Sequence, residues 1–280
     1  MSTRHQIVVS AENNPYIAWQ CKLFYFSCVT RMHHQPVIIV HNSGGDLHAD
    51  FYELAKAGCA IYSAPNYRYD RDGNDYAARN PPGSLMRAAE LLRDQDVLIV
   101  LCDPDMVFVR RVEFPEVLAG EFSSFMNYDR DFVSAVLPEL GITRAVMDEQ
   151  KDSLCVSVPY VIPCRIARAF GETWFAITEL FNPRRWEDVM YAFGLTAVKL
   201  RLNVEVTHQV DHNYWPEEIL EASMIHYAYG DERWNKRDYG REGTARNVWN
   251  PPDNYPPETI LGELSNQIKE ARDFYRSVFV

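Results

Sequence analysis

The sequence predicts an α/β fold, a doubly wound domain built on a central, mostly parallel mixed sheet. Three observations predict it. Short apolar runs alternate with helix-periodic segments through the first hundred residues. The run Val97-Leu98-Ile99-Val100-Leu101-Cys102 is apolar without a break, as a strand buried on both faces must be. No internal repeat and no linker divides the 280 residues, so one domain spans 1–280, with successive parts 1–110, 111–245 and a wrapping tail with a final helix (246–280).

Taken in order, Gln6 to Ser10 reads as a strand that ends in the polar stretch Ala11 to Pro15. Tyr16, Trp19, Leu23 and Phe26 follow at helical spacing. Pro36 to His41 reads as a second strand, closed by the turn Asn42-Ser43-Gly44-Gly45. A helix over Phe51 to Lys56 and a third strand over Cys59 to Tyr62 come next. A polar loop then runs to Pro82, and Gly83-Ser84 caps a helix carrying Leu85, Ala88, Ala89 and Leu92 on one face. Beyond Cys102, helices are expected over Arg165 to Phe175 and Trp186 to Phe193, and strands over Val156 to Val161 and Val198 to Val206. The segment Arg246 to Pro257, rich in proline and asparagine, is expected to lack regular structure, and Glu258 to Tyr275 to close the chain as an amphipathic helix.

Composition sets the function classes. A chain that is 47% hydrophobic and 24% charged has apolar mass for a substantial core. The net charge of −11 argues against a nucleic-acid partner, which calls for a basic face. No apolar run approaches the ~18 to 20 residues of a membrane span, and the first residues lack a signal-peptide profile. Six cysteines form no C-x-x-C pair and read as reduced core residues of a cytoplasmic protein. Oligomeric state is left open.

Chemistry concentrates at two places. Asp103-Pro104-Asp105 follows the most apolar strand directly, where open α/β sheets bind ligands. Carboxylates one residue apart can share one hard cation, Mn²⁺ or Mg²⁺, with substrate phosphates, although Asp-Pro-Asp is also ordinary turn chemistry. Far along the chain, Met224-Ile225-His226-Tyr227-Ala228-Tyr229-Gly230 places a histidine at the end of an apolar stretch, with Arg233, Lys236 and Arg237 after it. An imidazole can complete a carboxylate site, and a lysine can hold a phosphate; an isolated histidine is otherwise a hydrogen-bonded core residue.

These motifs resemble those of the plant hydroxyproline O-arabinosyltransferases and the related peptidyl-serine galactosyltransferases. The resemblance rests on Pro15-Tyr16-Ile17-Ala18-Trp19-Gln20-Cys21, Asn80-Pro81, Asp103-Pro104-Asp105-Met106-Val107-Phe108, Met224 to Gly230, Trp234-Asn235-Lys236-Arg237 and the proline-rich tail, all in the same order. Between about 111 and 201 it is carried only by Ser157 to Ile162.

The resemblance implies a GT-A fold (a Rossmann-like, nucleotide-sugar-binding domain), with 1–110 as its nucleotide-binding half and 111–245 as its acceptor and metal half, and a metal-dependent, retaining glycosyltransferase. Its donor would be a nucleotide-sugar, a UDP-sugar above all, and its acceptor a hydroxyl of a peptide, a glycan or a small metabolite. Asp105 and His226 would hold Mn²⁺ or Mg²⁺ with Asp103 shared. Ser10, Ala11 and Glu12, in the loop after the first strand, would meet the nucleoside, with Trp19 and Asn80 in the same binding set. Lys236 would take the diphosphate, with Arg237 and Arg233 behind it. Glu187, Asp188 and Asp211 are the acids offered for the anomeric carbon, and Trp186, Trp215 and Trp234 the aromatic faces offered to sugar rings. For each, a solvated acid or a packing tryptophan is the plainer reading. The segment from Tyr227 to Arg241, with Gly230 and Gly240, would bend and close over the donor. Two other classes use paired acids in the same place: a metal-dependent nucleotidyltransferase or phosphohydrolase, and a non-catalytic nucleotide-binding protein.

Overall fold

The computed structural model describes residues 4–69, 73–212, 217–230, 232, 234–240, 247–251 and 255–278. It is an α/β protein with a mixed, mostly parallel seven-stranded sheet and eight α-helices among the described residues. In chain order the elements are β1 (Arg4–Glu12), α1 (Pro15–Ser27), β2 (Val37–Asn42), α2 (Ala49–Lys56), β3 (Ala60–Pro65), α3 (Asn80–Leu91), β4 (Val97–Cys102), β5 (Met106–Phe108), β6 (Ala119–Phe122), α4 (Asp131–Leu140), α5 (Arg144–Gln150), β7 (Val156–Pro163), α6 (Cys164–Thr178), α7 (Asp188–Lys199), β8 (Glu205–Thr207), β9 (Val210–His212), β10 (Met224–His226) and α8 (Ile260–Val278).

The large sheet runs β3-β2-β1-β4-β7-β6-β8. β1 and β4 are parallel, with Val9 opposite Cys102, and β7 runs antiparallel to both β4 and β6. All six residues of β4 are buried, which its unbroken apolar run requires. Three further strands form a small sheet of order β5-β10-β9.

Three expectations are corrected. Ser10, Ala11 and Glu12 do not form a loop; they are the last residues of β1. α3 starts at Asn80 rather than after Gly83, because prolines suit a first turn whose N–H groups have no helical partner anyway. No strand covers Val198 to Val206: α7 continues through Val198 to Lys199, and the short β8 begins only at Glu205. The apolar run Tyr191 to Val198 is buried in α7, and such a run carries no period that separates helix from strand.

Contacts divide the chain into two compact units: 1–10, 64–102 and 114–208 form the first, and 11–63, 103–113 and 209–280 the second. In the first, α6 and α7 meet over an aromatic core in which Tyr160 stacks on Phe193 at 4.0 Å and Trp174 meets Phe193 edge-on. In the second, α1 is capped by Asn14, whose side chain accepts from the Ile17 amide at 2.8 Å. The Tyr275 hydroxyl of α8 donates to the Lys22 carbonyl of α1, and Gln267 donates to the Phe108 carbonyl of β5. All six cysteines are free, four of them buried. No helix among the described residues is long and apolar enough to cross a membrane.

Candidate metal centre

The second unit assembles the site from its small sheet. Asp103, Pro104 and Asp105 lead from β4 into β5, which pairs antiparallel with β10 so that His226 stands opposite Met106. The pairing continues one step further, because the Tyr227 amide donates to the Asp105 carbonyl at 3.0 Å. The Tyr227 hydroxyl donates to the Pro104 carbonyl at 3.3 Å, fixing the turn from its other side. Backbone pairing thus brings together residues that lie more than a hundred positions apart.

The outcome is a cluster in which Asp103, Asp105 and His226 each offer one ligand atom, all within 4.8 Å of one another. His226 Nε2 lies 3.3 Å from Asp105 Oδ1, and the Lys236 ammonium donates to Asp105 Oδ2. Asp105 is buried. Burial pushes its pKa up, but Lys236 and His226 outweigh burial and hold it well below the usual carboxylate range. Asp103 forms no ion pair among the described residues. Burial and the Asp105 charge raise its pKa to about 6, against the partial relief that His226 and Lys236 provide. Two acids of unequal strength and one imidazole, all at one point, suit a hard divalent cation.

A buried aromatic floor supports the cluster. Trp19 stacks on Tyr227 at 6.0 Å, and Trp234, fully buried, packs against Tyr227 and Tyr239. Two glycines make the chain path possible. A Cβ on Gly230 would sit 2.0 Å from the Trp234 carbonyl oxygen, and one on Gly240 would sit 2.8 Å from Trp19 Cδ1. Both have positive φ, 133° and 69°, so each serves a turn and a close approach at once. The Lys236 amide donates to the Tyr229 carbonyl at 3.1 Å, and this return of the chain carries Lys236 to Asp105.

The other sequence-proposed residues are placed as follows. Trp19 is only 4% exposed, so its role here is packing beneath Tyr227 rather than an open face for a ligand. Trp234 is likewise a core residue. Arg237 is exposed and lies over the Tyr229 ring at 4.3 Å. Asp211 of β9 accepts from the Glu221 and Ala222 amides, both at 2.8 Å, and so ties down the approach to β10. Arg233, Trp215 and Arg241 lie outside the described residues.

Within the first unit, the Ser84 hydroxyl donates to Ser10 at 2.9 Å. Asn80 accepts from the Tyr67 amide at 2.9 Å and donates to Asn66, which organises the loop before α3. Asp188 is fully buried, and its Oδ2 accepts from the Tyr76 hydroxyl at 2.9 Å and the Arg185 amide at 2.6 Å. Glu187 lies 3.8 Å from Arg130, and Trp186 is 64% exposed. Neither Glu187, Asp188 nor Asp211 belongs to the ligating cluster.

Sequence reading missed the structural partners of the site: Tyr227 on Asp105 and Pro104, and the floor of Trp19, Trp234 and Tyr239. The glycines at 230 and 240 were the available signal for that close packing, read instead as bending points. No family model and no curated protein matches the chain.

Proposed function

We propose that the protein is a metal-dependent glycosyltransferase of the GT-A class that transfers a sugar from a nucleotide-sugar, most naturally a UDP-sugar, to a hydroxyl acceptor. The observation that carries the reading is the convergence of Asp103, Asp105 and His226 beside Lys236, directly after the central strand β4. The sheet order β3-β2-β1-β4, with β1 and β4 parallel, supports it, since such sheets bind nucleotides at the carboxyl ends of their strands.

In this reading Asp105, His226 and Asp103 hold Mn²⁺ or Mg²⁺. The cation, once bound, supplies charge neutralisation to the departing diphosphate. Lys236 exchanges its contact with Asp105 for a diphosphate oxygen, and so keeps a positive charge against the negative charge that grows as the glycosidic bond breaks. The buried floor of Trp19, Tyr227 and Trp234 keeps these groups in place and excludes water beneath them. Glu12, at the end of β1, is the residue we place toward the nucleoside.

The test is a panel of UDP-, GDP- and dTDP-sugars incubated with the protein and Mn²⁺. The expected result is Mn²⁺-dependent release of the nucleoside diphosphate from one donor, with a rise in melting temperature by that donor. Release of pyrophosphate or inorganic phosphate instead would identify a nucleotidyltransferase or phosphohydrolase. Nucleotide binding without turnover, on any acceptor, would leave a binding protein.

A further inference from the structure

We infer that the first unit carries a binding site for a neutral saccharide, formed by the exposed rings of Trp186 and Phe125 and the polar pocket that Phe125 lines. Trp186 is 64% and Phe125 45% exposed, and the rings lie 5.8 Å apart at an interplanar angle of 42°. Two large aromatic faces standing together in water are a cost that a ligand can remove. Beside them opens a pocket of about 460 Å³, lined among others by Asn127, Asp129, Arg130, Lys151 and Asp152. That volume lies in the range of small-ligand sites.

Phe125 joins platform and pocket, because it both lines the cavity and touches Trp186. A second link runs through Arg130, which lines the cavity and lies 3.8 Å from Glu187, the neighbour of Trp186. The backing is firm. The Asn127 amide donates to the Tyr191 hydroxyl, and Tyr128 donates to the Leu154 and Tyr191 carbonyls from a buried position.

Charge selects the ligand class. The cations lining the pocket are already matched: Arg130 with Glu187, and Lys151 with Asp129 at 2.9 Å. An anionic ligand therefore meets no uncompensated cation among the described residues, and the Asp152 carboxylate opposes it. What stands open is a set of neutral-ligand partners. Among the described residues Asp152 makes no hydrogen bond or ion pair, and the Asn127 side-chain amide is engaged only through its oxygen, which accepts from the Asp129 amide at 2.8 Å. The indole N–H of the exposed Trp186 adds a donor. Carboxylate and amide groups bind vicinal hydroxyls, while aromatic rings cover the C–H face of a pyranose or furanose. A hydroxyl-rich, uncharged ring satisfies both halves of the site at once.

Binding of the saccharide stands apart from the proposed activity; that it is the acceptor rests on the glycosyltransferase reading. The experiment is an array of neutral and anionic glycans probed with the full-length protein, without nucleotide or Mn²⁺. Each hit is then followed by saturation-transfer NMR on wild type, Trp186→Ala, Trp186→Phe, Phe125→Ala and Asp105→Asn. We expect a neutral glycan to bind, with affinity weakened by about tenfold or more in Trp186→Ala and Phe125→Ala. Trp186→Phe should restore part of it, and Asp105→Asn should bind as wild type does. The proposal fails if no neutral glycan binds, if only anionic glycans bind, or if Trp186→Ala binds as wild type does. Failure of the donor panel with intact glycan binding would remove the transferase reading alone; the reverse outcome would remove this site alone.

Discussion

Asp105 and Asp188 are both buried aspartates, one in each compact unit, yet their surroundings differ in kind. Asp188 is held by neutral donors, the Tyr76 hydroxyl and the Arg185 amide, and burial raises its pKa despite them. Asp105 stands between an ammonium and an imidazole, with a second acid two residues away, and its pKa is driven down. A buried acid that only ties chain segments together needs no net charge nearby. An acid kept ionised beside an ammonium, with a second carboxylate close by, is a candidate for function rather than a tie between chain segments. Asp188 holds the start of α7 through the Arg185 amide, whereas Asp105 belongs to the cluster that the proposed function uses.

The sharpest way to break this distinction is Asp105→Asn. Turnover should fall by about 10³-fold or more, because an amide is a poor ligand for a hard cation and cannot replace the lost charge. The same substitution should cost about 2–4 kcal/mol of stability, since it leaves the Lys236 ammonium without its anion in a place where that side chain is 12% exposed. Urea unfolding measures the cost. Adding Lys236→Met should recover most of the stability and none of the turnover. Full activity of Asp105→Asn, or activity that survives chelation of Mn²⁺, would end the metal reading.

The matching substitution in the other unit should behave in the opposite way. Asp188→Ala leaves the Tyr76 hydroxyl and Arg185 amide without an acceptor, at a cost of about 2–4 kcal/mol. Asp188→Asn retains an acceptor oxygen and should cost less. Activity per folded molecule should stay at the wild-type level in both. A well-folded Asp188→Asn protein without turnover would move Asp188 from the structural role to the catalytic one.

The two aspartates were not equally legible in the sequence. β4 was plain because a strand buried on both faces leaves an unbroken apolar run, and Asp103 and Asp105 could be placed by simply following it. Three-residue strands such as β5, β9 and β10 carry too little pattern to read, so the sheet that brings His226 to Asp105 was invisible, although His226 itself was picked out for its chemistry. Nor does sequence reveal a contact across 131 residues, such as Lys236 with Asp105. Asp188 looked like a solvated acid because it follows Trp186-Glu187 in a polar stretch. Its burial depends on Tyr76, 112 positions earlier. α4 shows that some signal was simply unread: its buried Val133, Val136, Leu137 and Leu140 keep helical spacing.

The smallest effect separates the two carboxylates of the cluster from each other. Asp103 has a folded-state pKa of about 6, above its ordinary value of 3.8, because burial and the Asp105 charge penalise its ionised form. A group whose pKa is raised by folding contributes stability that is complete below the unfolded value and is lost as pH rises through the folded one. With metal chelated, stability should therefore decline between pH ~4 and ~6, by about 1–3 kcal/mol. Asp105 does not contribute in that window. Its depressed pKa gives stability that is present above the unfolded value and is lost only as pH falls through the folded one. Asp103→Asn should remove its share of the decline, and so identify it against Asp188 and Glu263, the acids whose pKa values burial also raises. With excess Mn²⁺ the slope should reverse in the wild type, because only the ionised carboxylate can take the cation, and binding then stabilises more as pH rises. Chemical denaturation at a series of pH values, with chelator and with Mn²⁺, reads both slopes. If Asp103→Asn and wild type trace the same curve in both conditions, Asp103 does not share the cation, and the metal would rest on Asp105 and His226 without it.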